Sequence, residues 1–301
     1  MISLEKLKLK NGSVDGIANY LQTTAKYYEQ TGMDLPARWI TKGSAGDALN
    51  DPARDPNDDF ARMLAGIDPL TGQTLRKSTT AKTVLAFDVG TSCPKAFSLA
   101  LATADEPLRG QIAKAMEKAN GLALQYVMSE LTSRTGQGGK GSTMQVQECF
   151  ARSVMHLDSR EGDPQAHFHN VLINVAIGTD GKARTLDGKK LYALQRSAGA
   201  IFDQAVAREL QALGFGITRT IEDSDKGTIR WGIVGIDREV EKVFSMRRNQ
   251  IIEHMERTGE NSDTASKKTR KRKDNELTPA QICDNTAKVM AQLKQEGLTH
   301  W

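Results

Sequence analysis

The sequence predicts an α+β fold, and three observations carry that reading. Helical and hairpin segments follow one another without a regular βα alternation. Two apolar strand-like runs, 145–157 and 166–177, are separated only by a short connection, SREGDPQ, which suits antiparallel pairing. Two long helical segments, 106–133 and 195–213, lie on either side of that hairpin. At 301 residues, with 39% hydrophobic and 26% charged, the chain can bury a sizeable core. Basic residues exceed acidic ones by 41 to 37, giving +4. That margin permits an acidic partner without requiring one, so the placement of the charges matters more than their sum.

Taken in order, residues 13–31 begin with a Ser or Asp cap candidate and contain no proline, so they read as helix. This stretch carries Tyr20, Tyr27 and Tyr28. Tyr20 and Tyr27, about two helical turns apart, share a face. A loop-rich region covers 34–57. Residues 58–66 (DDFARMLAG) form a short amphipathic helix stopped by Gly66, and DPLTGQ turns the chain. TVLAFDVG, 83–90, is a buried strand with one charged residue, Asp88. TGQGGKGS, 135–142, is a flexible connection, and its spacing does not match a phosphate-binding loop. After the helix at 195–213, GITRTIEDSDKGTIRWGIVGI reads as another hairpin. From Arg238 the chain is helical and highly charged, and KKTRKRK at 267–273 places six basic residues among seven.

Three widely spaced cysteines, Cys93, Cys149 and Cys283, suit a reducing compartment and argue against a disulfide framework or a zinc cluster. The N-terminal segment lacks the apolar core of a signal peptide, and no apolar run reaches membrane-spanning length. The expected location is the cytoplasm, without membrane insertion.

Three of the five histidines fall within HLDSREGDPQAHFHN, 156–170. On a strand, positions i and i+2 face the same way, so His167 and His169 project together while Phe168 turns into the core. The DPQ turn folds the preceding strand back and can bring His156 beside them. Three imidazoles on neighbouring strands make a three-nitrogen metal site with coordination positions left open. A lone His-x-His is more often a surface or hydrogen-bonded core pair. The third histidine and a charged Asp88 on an apolar strand shift the balance toward a metal. No water-activating glutamate accompanies the cluster, which points to a Lewis acid acting on a phosphate. A tyrosine would then need a base or cation to attack, because its ordinary pKa is near 10. Asp88 is a candidate for that base, or for orienting a metal-bound histidine. Packing tyrosines and a capping aspartate are the plainer alternatives.

In these residues the chain resembles the N-terminal relaxase domain of MobF-type conjugative relaxases, DNA strand transferases of the HUH class. That class takes its name from His-hydrophobe-His, here His167-Phe168-His169. The pattern HxDxxxxDPQxHxHNVLxN runs from His156 to Asn174. FDVGTSCPKAFSLA at 87–100 is similar to the family's aspartate strand and its Ser-x-Pro-Lys-x-x-Ser turn. NYLQTTAKYYEQTG at 19–32 is similar to its tyrosine motif. FARMLAGIDPLTGQTLRK and AGAIFDQAVARELQALGF also fit, so the resemblance spans nearly the whole chain and weakens after Arg238.

The resemblance implies a central antiparallel sheet flanked by helices. Residues 1–237 would form the catalytic core, and 238–301 a basic helical segment covering a single-stranded DNA cleft. It implies Tyr20 as the nicking nucleophile and Tyr27 or Tyr28 in a second cleavage step. Asp88 would lie beside them, and His156, His167 and His169 would ligate Mg²⁺ or Mn²⁺. The family has Tyr-Tyr at the first position, whereas this chain has Tyr20-Leu21. The implied reaction is site-specific nicking and rejoining at an origin of transfer through a 5′-phosphotyrosine. Implied partners are single-stranded DNA, an adjacent duplex or hairpin, relaxosome accessory proteins and a coupling protein; the protein would travel to the recipient cell with the strand.

Candidate DNA contacts are Arg76, Lys77, Arg160, Lys267, Lys268, Arg270, Lys271, Arg272 and Lys273, with Trp39 and Trp231 as candidate stacking platforms. A rolling-circle replication initiator of the same class is a rival, but its tyrosine motif usually follows the histidines, and here it precedes them. A non-catalytic, metal-stabilised DNA-binding protein is the rival from another class. Relaxases of this family usually continue into a helicase region; with no Walker A motif here, the chain is expected to be one domain of a longer protein or a short relaxase.

Overall fold

The predicted hairpin is the spine of the fold. In the computed structural model, which describes residues 1–8, 35–80, 82–136, 141–159, 161–223, 228–270, 277–299 and 301, β5 (Thr143–Asp158) pairs antiparallel with β6 (Pro164–Gly178). On the other side of β6 lies β3 (Val84–Ser92), followed by β1 (Ile2–Lys8). β2 (Arg38–Lys42) borders β5. The order is therefore β1-β3-β6-β5-β2, with short strands β4 (Thr132–Arg134) on β5 and β7 (Ala183–Arg184) on β6. Among the described residues every strand pairing is antiparallel, in keeping with the α+β reading.

Side-chain alternation gives the sheet two different faces. Phe87, Val89, Met155, Phe168 and Leu172 point into the larger core. Helices α3 (Lys95–Thr103), α4 (Glu106–Glu130), α5 (Gly188–Ala212) and α9 (Pro279–Gln295) contribute Phe97, Met116, Phe202 and Ile282 to the same cluster. Each fully buried side chain of this size contributes about 1.5–3 kcal/mol. On the opposite face, Trp39, Ala86, Phe150, Val171, Ile173 and Val175 pack against Leu49 of α1 (Gly46–Leu49) and against Phe60, Met63 and Leu64 of α2 (Pro56–Ala65). This second core stops at Val171. The histidines lie farther along the same face.

Local signals set the element ends. Asp55 caps α2 by accepting from the amides of Asn57 and Asp58, and Gly66 ends it at φ +83°. A Cβ at Gly66 would sit 2.5 Å from that of Arg76, so the turn needs glycine for both conformation and space. Asp105 caps α4, Asp187 caps α5, and Thr278 with Gln281 forms a capping box on α9.

The structure departs from the sequence reading at several elements. The helix expected to run to Ser133 ends at Glu130, because Leu131 turns extended and Thr132–Arg134 joins the sheet as β4. The helix expected from 195 begins at Gly188, where Asp187 supplies the cap. The loop-rich region contains β2 and α1. The Ser-x-Pro-Lys-x-x-Ser segment, read as a turn, continues into α3, whose residues Ala96–Ala102 are all buried.

The hairpin after α5 is a separate two-stranded sheet, β8 (Ile217–Asp223) and β9 (Thr228–Ile233). Beyond it come α6 (Arg238–Val243), α7 (Met246–Thr258) and α8 (Ser262–Lys268). Arg230 pairs with buried Glu241 of α6. Arg247 donates to the carbonyls of Ser266 (2.6 Å) and Thr269 (2.7 Å), tying α7 to the end of α8. Among the described residues, no helix is long and apolar enough to cross a membrane.

Candidate metal centre

Register places the three imidazoles together. His156 on β5 is directly opposite His167 on β6, and His169 is two residues along the same face. The ring centroids are 4.8–5.2 Å apart, and one ligand atom from each ring lies within 4.8 Å of the other two. An ion bonded at about 2.1 Å to three nitrogens at right to tetrahedral angles separates them by about 3.0–3.4 Å. Closure of less than about 2 Å, available from ring rotation, is enough to chelate. His156 is buried and the other two are half-buried, so the site opens on one side.

The tautomers suit ligation. His167 Nδ1 is 2.8 Å from the Gln165 carbonyl, and His169 Nδ1 is 2.6 Å from Asp88 Oδ2. A carbonyl or carboxylate only accepts, so each Nδ1 donates and Nε2 is the atom each ring would offer an ion. A three-nitrogen set with carboxylate support fits a divalent ion. Asp88 reaches His169 diagonally: β3 pairs Gly90 with His169, and Asp88 is two residues along. The second carboxylate oxygen, Oδ1, is buried and has no hydrogen-bond partner among the described residues.

Two sequence motifs interlock beneath the site. The Cys93 amide donates to the Ala166 carbonyl (3.3 Å), and Gln165 Nε2 donates to the Cys93 carbonyl (3.1 Å). Lys95 Nζ donates to the Pro164 carbonyl (2.7 Å), and the Ala166 amide donates to Ser98 Oγ (2.8 Å). The Ser-x-Pro-Lys-x-x-Ser segment thus clamps the start of β6 just before His167; the chain reverses at 159–163, and Pro164 and Gln165, expected in the turn, already belong to the strand. Burial lowers the Lys95 pKa to about 8, although the nearby Asp163 carboxylate opposes that shift. Asp163 is itself pushed up by burial, with Lys95 pulling the other way. Its Oδ2 accepts from the Met246 amide (2.8 Å), so the connection between β5 and β6 caps α7, whose own N-cap residue, Ser245, makes no side-chain cap bond.

The remaining predicted residues are distributed as follows. Tyr20, Tyr27, Tyr28, Arg160, Lys271, Arg272 and Lys273 lie outside the described residues. Arg76 is half-buried and donates to the carbonyls of Leu64 (2.8 Å) and Leu85 (3.2 Å), contacts that join α2 to β3. Lys77, Lys267, Lys268 and Arg270 are exposed, and Lys268 is paired with Glu260. The stacking expectation for the tryptophans is corrected. Trp39 and Trp231 are 2% and 7% exposed, leaving no ring face for a base, and Trp39 packs against Phe60.

Sequence reasoning missed Lys95 and Ser98 as site supports, and Asn120 on α4. Asn120 had a legible signal: it shares a helical stripe with Met116, Ala123, Leu124 and Val127, all buried.

Comparison with protein families matches residues 14–293 to the TrwC relaxase model. Among solved structures, the conjugative relaxase TrwC in complex with OriT DNA is similar in its metal-free form (TM-score 0.77, 23% identity) and its metal-bound form (0.79, 23%). Both alignments cover 98% of this chain and 99% of the other. TrwC complexed with a 27-mer DNA comprising the recognition hairpin and the cleavage site gives 0.76 at 24% identity, covering 99% of both chains. Comparison with curated protein sequences gave no match.

Proposed function

From the chain's membership of the TrwC relaxase family, we propose that it nicks and rejoins one strand of origin-of-transfer DNA by tyrosine transesterification. The observation that carries this reading is the convergence of His156, His167 and His169 on one point, with Asp88 hydrogen-bonded behind His169. These three residues would hold a divalent ion, Mg²⁺ or Mn²⁺, which supplies positive charge against the scissile phosphate.

Tyr20 is the proposed nucleophile. Its phenolic oxygen bonds to phosphorus while the bond to the 3′-oxygen breaks, leaving a 3′-hydroxyl and a 5′-phosphotyrosine. The two oxygens of Asp88 divide two tasks. Oδ2 holds the His169 ring, and Oδ1, which lacks a partner among the described residues, takes the phenol proton. The leaving 3′-oxygen takes a proton from solvent, and Asp88 releases the phenol proton to solvent. One phosphodiester replaces another, so the reverse attack by a 3′-hydroxyl rejoins the strand without ATP. Positioning and electrostatics supply most of the rate. Tyr27 or Tyr28 would serve a second cleavage.

We assign the catalytic core to residues 1–237 and the cover over the strand to 238–301. The cap that Asp163 places on α7 supports this division by fixing that helix to the connection between the two histidine-bearing strands. Lys77, Arg160 and the basic run at Lys267, Lys268, Arg270, Lys271, Arg272 and Lys273 are proposed to meet phosphates. Arg76 would support that surface from within the fold. The partners are single-stranded origin DNA with a flanking hairpin, relaxosome accessory proteins and a coupling protein. The site of action is the donor cytoplasm, followed by transfer with the strand.

The test is incubation with single-stranded origin oligonucleotides and Mn²⁺. An adduct resistant to SDS should form, carrying a label from the 3′ end of the oligonucleotide and not from the 5′ end. Tyr20→Phe should abolish the adduct and retain DNA affinity. An undiminished adduct in Tyr20→Phe would remove Tyr20 from the mechanism.

A further inference from the structure

On the opposite face of the sheet from the histidines, four polar side chains meet inside the larger core. Asn120 of α4, Thr91 of β3 and Asn170 of β6 are each 0% exposed, and Ser153 of β5 is 3% exposed. Thr91 Oγ1 donates to Asn120 Oδ1 (2.7 Å). Asn120 Nδ2 donates to Ser153 Oγ (3.0 Å) and to Asn170 Oδ1 (2.9 Å). Ser153 Oγ donates to Asn170 Oδ1 (2.7 Å), while Asn170 Nδ2 donates to the Val89 carbonyl (2.8 Å) and to Asn120 Oδ1 (2.9 Å). Both amides therefore use two donors and two acceptor sites, their full complement. The orientation is also determined. The Val89 carbonyl can only accept, which fixes the Asn170 amide, and the reciprocal pair then fixes Asn120.

The network's position relative to the metal face is the informative point. Val89, Asn170 and Ser153 form one cross-strand row through β3, β6 and β5. The next row is Gly90, His169 and Val154, and the row at Ser92, His167 and His156 lies two farther on. These three strands carry Asp88 and all three imidazoles. A polar cluster in an apolar core gains little net stability over a well-packed hydrophobic one, but it tolerates only one register. A slip of one residue on any of these strands would break the ring of bonds; on β5 or β6 it would also turn the histidines to the other face, and on β3 it would turn Asp88 away from them.

We propose that the Asn120–Thr91–Ser153–Asn170 network is the positioning device of the metal centre, with Asn120 as its hub. It fixes the register and lateral spacing of β3, β6 and β5, so His156, His167 and His169 stand at chelating separation before an ion arrives. The inference rests on the reading that these histidines hold a divalent ion.

The test is calorimetric titration of the whole chain with Mn²⁺, alongside thermal melting, for wild type, Asn120→Leu, Thr91→Val and Thr91→Ser. Asn120→Leu removes the hub at similar volume and should weaken Mn²⁺ binding about 10- to 100-fold in protein that is still folded. Thr91→Val deletes one hydroxyl and should cost about three- to tenfold, with Thr91→Ser restoring binding to within twofold of wild type. Adduct formation should recover its wild-type rate at saturating Mn²⁺. If Asn120→Leu does not fold, Thr91→Val against Thr91→Ser decides the matter. Variants that melt earlier yet bind Mn²⁺ with wild-type affinity would reduce the network to a structural role. A wild-type chain that binds no Mn²⁺ would instead overturn the metal reading, and this inference with it.

Discussion

Asp88 offers a perturbation whose size follows from one distance. Its Oδ2 accepts the His169 Nδ1 proton at 2.6 Å, with the two side chains 16% and 30% exposed. A hydrogen bond to a charged acceptor contributes about 1.5–3 kcal/mol, and loss of a carboxylate behind a ligating histidine weakens metal binding about 10- to 100-fold. Asp88→Ala should therefore raise the Mn²⁺ dissociation constant toward the upper end of that range. Asp88→Asn keeps an acceptor oxygen for Nδ1 and loses the charge, so its effect on binding should be about tenfold or less. The other oxygen gives a separate signal. If Oδ1 takes the phenol proton, Asp88→Asn should slow adduct formation about 10²- to 10⁴-fold even at saturating Mn²⁺. Calorimetry measures the first effect and single-turnover kinetics the second. Wild-type Mn²⁺ affinity in Asp88→Ala would refute the orienting role, and an unchanged saturated rate in Asp88→Asn would refute proton acceptance.

Three further outcomes follow from the same geometry. Lys95 has a pKa of about 8 in the fold against an ordinary 10.5, so the unfolded chain holds more protons between those values. Stability should rise with pH across that window, by up to about 3 kcal/mol, and be flat in this contribution below it. Urea denaturation of wild type minus Lys95→Met should show the rise; a flat difference would contradict it. Asp163→Ala removes the acceptor for the Met246 amide and should cost about 1–2 kcal/mol, with Asp163→Asn milder; proteolysis within 246–270 should become faster in Asp163→Ala, and equal digestion rates would count against the cap. Single-strand binding that neutralises about six phosphates should show a log–log salt slope near −4, reduced by about 0.7 for each basic residue of the 267–273 run changed to Ala. A slope unaffected by those changes would remove the run from the interface.

The histidine cluster was the most legible part of the sequence because its spacing is a backbone rule. His167 and His169 had to share a strand face, and a short connection had to return β5 beside β6; the direct His156–His167 pairing is what that arrangement produces. Elements whose patterns are not periodic were lost. β1 leaves most of its residues at least partly exposed along the sheet edge, β2 is five residues inside a polar region, and α3 is buried on every side and so shows no amphipathic stripe. Side-chain destinations were harder still. Arg76, Trp39 and Trp231 looked available for DNA, but one guanidinium reaches two carbonyls and both indoles are buried. The pairing of Asp163 with the α7 amide, 83 residues away, has no local signature at all.

The central claim is that one divalent ion sits among three particular nitrogens. Crystals of the chain grown with Mn²⁺ and measured at the manganese absorption edge would locate that ion by its anomalous scattering. The account predicts a single strong peak about 2.0–2.3 Å from Nε2 of His167 and His169 and from one ring nitrogen of His156. A peak bonded through Nδ1 of His167 or His169, or one that leaves any of the three rings outside coordination distance, would contradict it.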